Sequence, residues 1–206
     1  MSEISSGGQA NERRVAVSLA GVHGDVEQAR LGLSDEAASV RAAALSALLR
    51  CDALTSDDVD AAIADPSPLV RRRISELATS SPPGHFERLL DDDVPEVVEA
   101  AAFACGEQEI ASAVRALATI ATTHSDALCR ESAVAALGVL GLSDGLAAVL
   151  HATTDVAAVR RRAVIALSNY EGTDVDDALQ VALSDRDWQV RQAAEDVIGI
   201  NRTSTQ

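Results

Sequence analysis

The sequence predicts an all-α protein of about six stacked helical pairs behind an N-terminal capping helix, and three observations predict it. The first is composition. Hydrophobic residues make up 47% of the 206-residue chain but aromatics only 2%. The core must therefore be built from small aliphatic side chains, and the dominant Ala and Leu are strong helix formers. The second is a period. "VRAAALSALL" from Val40, "VRRRISELAT" from Val70, "VVEAAAFACG" from Val97, "CRESAVAALG" from Cys129, "VRRRAVIALS" from Val159 and "VRQAAEDVIG" from Val190 superimpose without a gap, at spacings of 30, 27, 32, 30 and 31 residues. The third lies inside each copy. Positions 1, 5, 8 and 9, such as Val159, Ala163, Ala166 and Leu167, are small or aliphatic, which is the stripe of a helix with one buried side.

The elements follow in order. Residues 1–10 lack the basic-then-apolar order of a secretory signal and are expected as a disordered tail. "NERRVAVSLAGVHGD" supplies the capping helix, and the repeats fill one domain over residues 11–200. Six shorter amphipathic stretches precede the repeated segments: "VEQARLGL", "SDDVDAAI", "GHFERLL", "EIASAVRALATI", "DGLAAVL" and "DVDDALQVAL". Each is the first helix of a pair whose second helix is the repeated segment. In the turns between them, Asp35, Asp65, Asp92 and Asp185 each stand six residues before motif position 2, and "DPSPLVR" carries helix-starting Asp, Ser and Pro. Trp188 is expected to pack against the C-terminal end, since large aromatics mostly pack. Residues 201–206 are expected as a second disordered tail.

The period, the Asp-x5-Arg pairing and the V-R-x-x-A-x-x-A-L-G pattern resemble HEAT repeats, especially the short variety first noted in phycobilin lyases, from about Val26 to Gly199. The resemblance implies a right-handed α–α superhelix, a HEAT/armadillo-like solenoid, with second helices on the concave side and first helices on the convex side. It also implies a structural ladder joining Arg41, Arg71, Arg130, Arg160 and Arg191 to Asp35, Asp65, Asp92 and Asp185. The two arginine triplets are then copies of a helix start, not a nucleic-acid patch.

Departures from the pattern mark candidate contacts. Position 3 should face the concave side and reads Ala42, Arg72, Glu99, Glu131, Arg161, Gln192. Neighbouring helices lie roughly 8–10 Å apart, so Arg72 is expected near Glu99 and Arg161 near Glu131. Position 7 should also face outward, yet it holds Phe103 and Ile165 with Ala135 between them. An apolar strip of Phe103 and Ile165, rimmed by Arg72, Arg73, Glu99, Glu131, Arg161 and Arg162, has the composition of a protein-binding surface. The competing account has both side chains filling gaps between repeats. Repeat three departs furthest: Val98 replaces the ladder arginine, and Pro82–Pro83–Gly84 shorten its first helix. Repeats four and five carry His124 and Thr154 where the turn aspartate is expected, although Asp126 and Asp155 can still cap.

Nothing in the sequence assembles a catalytic constellation. All seventeen basic residues are arginine, which removes Schiff-base and phosphate-loop lysines. His23, His85, His124 and His151 are dispersed, so no metal or other cofactor is expected. Cys51, Cys105 and Cys129 read as small buried hydrophobes. Acid pairs such as Asp57/Asp58 and Asp176/Asp177 fall at helix starts, where the helix dipole keeps them ionised. A net charge of -15 disfavours nucleic acid, and no stretch is apolar enough for a membrane span. The expected function is a cytoplasmic, monomeric scaffold or adaptor holding a protein or peptide partner in its concave groove. The alternative is a chromophore-handling protein like the bilin lyases, which the scarcity of aromatics disfavours. A HEAT-like DNA glycosylase is less favoured still, for want of a basic field.

Overall fold

The computed structural model describes residues 2–204, with side chains from 8 to 199, and places them in two compact units, Met1–Leu89 and Leu90–Gln206. The first unit contains α1 (Ser2–His23), α2 (Val26–Leu31), α3 (Ala38–Arg50), α4 (Ser56–Ile63) and α5 (Pro68–Glu76). The second contains α6 (Pro95–Glu107), α7 (Val114–Thr123), α8 (Ala127–Leu140), α9 (Ser143–Ala152), α10 (Ala157–Ala166), α11 (Thr173–Ala182) and α12 (Trp188–Ser204). No strand occurs among the described residues. The division falls just after Pro82–Pro83–Gly84, where the repeat pattern is most disturbed.

The six repeated segments are α3, α5, α6, α8, α10 and α12. Their position-1 residues Val40, Val70, Val97, Cys129, Val159 and Val190 are all buried, as are the position-5 residues Ala44, Ile74, Ala101, Ala133, Ala163 and Ala194. Five first helices also form where expected, two of them with a 3-10 turn at Gly32–Ser34 or Ala111–Ala113. The sixth, "GHFERLL", is a 3-10 helix over Phe86–Asp91. The prolines deny it α-helical hydrogen bonds upstream, and Phe86 is fully buried.

Residues 2–10, read from the sequence as a tail, fall within α1. Met1 lies outside the described residues. Likewise α12 runs to Ser204, and residues 205–206 lie outside.

Local chemistry sets the helix ends. Thr55 and Asp58 form a reciprocal capping box on α4: Thr55 Oγ1 accepts from the Asp58 amide at 3.2 Å, and Asp58 Oδ2 accepts from the Thr55 amide at 3.0 Å. Pro68 and Pro95 open α5 and α6, where the missing N–H costs nothing. Gly141 closes α8 in the left-handed region at φ 58°, donating its N–H to the Leu137 carbonyl. That carbonyl also accepts from the buried Tyr170 hydroxyl at 2.7 Å.

Within the second unit the helices form two layers. The second helices pack as α6 on α8, α8 on α10 and α10 on α12, and the first helices as α7 on α9 and α9 on α11. In the first unit α1 packs on α3 and α3 on α5. Small residues set the approach: a Cβ built on Gly138 of α8 would lie 2.8 Å from the Ala166 Cα of α10.

The ladder has a definite geometry. Arg41 of α3 grips Asp65 with Nε and Nη2, both at 2.8 Å, while its Nη1 donates to the Asp35 carbonyl at 2.9 Å. Arg41 thus reaches the carboxylate of the following turn and the carbonyl of its own. Arg71 donates to the Asp65 carbonyl at 2.8 Å. In the second unit Arg160 grips Asp185 at 2.8 and 2.7 Å and donates to the Asp155 carbonyl at 2.7 Å, and Arg191 donates to the Asp185 carbonyl at 2.7 Å. Asp35, Asp65, Asp92 and Asp185 each also accept the amide two residues on.

Two members escaped the sequence reading. Arg13 of α1 grips Asp35 at 2.7 and 3.0 Å, which extends the ladder into the capping helix. Asp155, one residue beyond the expected place at Thr154, takes Arg130 at 2.7 Å through both oxygens. At His124 the ring Nδ1 replaces the carboxylate as acceptor for the Asp126 amide, at 3.1 Å.

Candidate interaction surface

Position in the helix decides which side chains face water. At 3.6 residues per turn, position 3, position 7 and the residue before position 1 lie about 200°, 240° and 260° round from position 1. They therefore point away from the buried stripe. Phe103 is 44% exposed and Ile165 38% exposed, so neither fills a gap between repeats.

The structure assigns Phe103 and Ile165 to separate grooves of the second unit. Between α6 and α8 runs a groove of about 470 Å³. Phe103, Leu128 and Val139 wall it, Gly106 and Ala136 form part of its lining, and Glu99, Glu107, Glu131 and Arg162 supply its charges. The helices meet closely at the floor: a Cβ on Gly106 would stand 3.2 Å from the Ala136 Cα. Between α10 and α12 lies a second groove, about 370 Å³, lined by Ile165, Trp188, Arg161 and Gln192 among others.

Trp188 corrects an expectation. It is 65% exposed rather than packed. It opens α12 two residues before Val190, a place that puts it on the outward side of the helix. The same place holds Ala38, Pro68, Pro95, Ala127 and Ala157 in the other repeats.

The charged neighbours also differ from expectation. Glu131 meets Arg162, with Nη2 3.5 Å from Oε1, and not Arg161. Consecutive residues diverge by about 100° on a helix. Arg162 consequently faces back towards α8 and Arg161 forward towards α12. Arg72 and Arg73, in the first unit, both pair with Glu76 on their own helix, at 2.8 and 2.9 Å.

His85 and two of the three cysteines are occupied or sheltered. The His85 ring Nδ1 lies 2.9 Å from both oxygens of Asp60, which also accepts the His85 amide at 3.1 Å. These bonds hold the Asp60 carboxyl below its ordinary range. Among the described residues no group of three His, Cys, Asp or Glu side chains is placed to hold a metal ion. Burial pushes the Cys129 thiol up to about 11, and its Sγ donates to the Pro95 carbonyl at 3.2 Å. Cys105 is buried, whereas Cys51 is half-buried and so not the core residue expected; it sits at the end of α3, where the last turn reaches the surface. Under native conditions a thiol-specific alkylating reagent should modify Cys51 and leave Cys105 and Cys129 intact until the chain unfolds, as mass mapping would show.

An all-helical chain of repeated pairs with its outward rows on the second helices is, by class, an α-solenoid. Residues 82–168 match the family model described as HEAT repeats. No curated protein matches the sequence. Solved structures share the fold. A designed armadillo repeat protein in complex with the peptide (KR)4 matches at a TM-score of 0.64 and 15% identity, covering 84% of this chain and 98% of that one. The Escherichia coli protein YIBA matches at 0.61 and 16%, covering 91% and 71%. Human deoxyhypusine hydroxylase matches at 0.51 and 19%, covering 94% and 80%. The HEAT-repeat match covers residues 82–168, and the fold shared with these structures is that of HEAT/armadillo solenoids.

Proposed function

We propose that this chain is a non-enzymatic HEAT-repeat scaffold or adaptor that holds a protein or peptide partner on its second-helix face. One observation carries the reading. Phe103, Leu128, Val139, Ile165 and Trp188 stand exposed on that face beside arginines and glutamates. Aromatic side chains such as Phe103 and Trp188, interspersed with Arg, are the usual anchors of protein contacts. A designed armadillo protein of similar fold has been solved with a peptide bound, which supports the use of such a face. The short-repeat subtype rests on the spacing of 27 to 32 residues. Free cysteines suit a reducing compartment, so we place the protein in the cytoplasm. A monomer is the matching oligomeric state.

The test is capture from native-host lysate by wild type beside a Phe103→Asp, Trp188→Asp variant, both checked by circular dichroism. A partner held by wild type and reduced roughly ten-fold or more in the folded variant is the expected result. Equal capture by both would overturn the reading.

A further inference from the structure

The groove of the first unit differs in charge from those of the second. We infer that the groove bounded by α1, α3 and α5 receives an acidic peptide segment, one that sets carboxylates around an apolar side chain. The groove encloses about 440 Å³. Arg14, Arg50 and Arg73 line it together with Ser18, Ser39 and Ser46, and no lining residue is acidic.

That is an unexpected composition for a chain with 32 acidic and 17 basic residues. Two of the three arginines have only neutral partners. Arg14 donates to Asn11 Oδ1 at 2.8 Å, and Arg50 donates to the Ser18 carbonyl at 3.1 Å. Their charge is therefore uncompensated by any carboxylate, although carboxylates are in excess. Only Arg73 is paired, with Glu76 at 2.9 Å.

A guanidinium is suited to planar, two-point recognition of carboxylate. The small serines and Ala42 and Ala43 leave room for backbone between the three cations. Leu69, half exposed at the rim, offers contact for an apolar side chain. Nucleic acid fits less well. A net charge of -15 repels a long polyanion, while a short acidic segment meets only the local field. The equivalent groove between α6 and α8 carries three glutamates to one arginine, so the two grooves select for opposite charge.

The inference extends the scaffold reading to the first unit, and its test keeps the two apart. Fluorescence anisotropy on the full chain would use a labelled peptide with glutamates flanking a leucine, its glutamine counterpart, and a single-stranded oligonucleotide of equal charge. The acidic peptide should bind, weaken with salt, and weaken about ten-fold in an Arg14→Gln, Arg50→Gln variant, both sites being exposed. The Phe103→Asp, Trp188→Asp variant should bind it like wild type. Loss in that variant, with none in the arginine variant, would move the site to the second unit and overturn the inference while keeping the scaffold reading. Equal binding of the glutamine peptide, tighter binding of the oligonucleotide, or no binding by wild type at low salt would each overturn it too.

Discussion

Leucine at Gly138 should destabilise the second unit by about 3 kcal/mol, read as a lower urea midpoint. The reason is the contact between α8 and α10, where a Cβ at 138 would meet the Ala166 Cβ at 2.6 Å and its Cα at 2.8 Å. A backbone atom cannot turn aside as a long side chain can, so the two helices must separate. Even Gly138→Ala should destabilise, although alanine gains about 1 kcal/mol in helix propensity. Gly106→Ala is the comparison. There the new Cβ stands 3.2 Å from the Ala136 Cα, and the propensity gain should nearly offset the crowding. Equal destabilisation by both alanine variants would refute the account.

Arg160→Met should cost about 3 kcal/mol, because it leaves the Asp185 carboxylate without its bidentate partner. Arg160 is only 5% exposed, so little water can take the guanidinium's place. A double variant with Asp185→Ala should lose less than the two single losses added together, since both remove one interaction. The same pair predicts an acid response. The Arg160 hydrogen bond holds the Asp185 carboxyl below its ordinary value of 3.8, and Arg130 does the same for Asp155. The folded state therefore binds these protons less readily than the unfolded state. Their stabilisation is complete above about pH 4 and falls away as pH drops through the lower folded values. Urea midpoints at pH 7 and pH 3 should differ more for wild type than for Arg160→Met.

The repeats were readable because burial imposes a residue class at fixed places. Small apolar residues at positions 1 and 5 can be recognised without coordinates, and all twelve are buried. The ladder was readable where Asp-x5-Arg kept its spacing. It was missed at Arg13, whose helix carries no copy of the motif, and at Asp155, where a one-residue shift leaves the carboxylate within reach of Arg130. The candidate surface was less legible. Outward placement of Phe103 and Ile165 followed from helical phase, but which groove each lines depends on how neighbouring helices sit side by side. Trp188 was misread because its size was weighed above its place on the outward side of α12.

Each rung of the ladder ties one turn to the next, and one rung within the second unit was never built. Between the repeats of α6 and α8, Val98 stands where the arginine would be and His124 where the aspartate would be. The two replacements answer one another, because either charged group alone would be left without its counter-ion. What remains at that junction is apolar contact, the weak bond from Cys129 Sγ to the Pro95 carbonyl and the close meeting of Gly106 with Ala136. Stability in a stack of nearest-neighbour couplings is a sum over junctions. This junction should accordingly be where the unit breathes, letting amides exchange with solvent before those across Arg130–Asp155 and Arg160–Asp185 do.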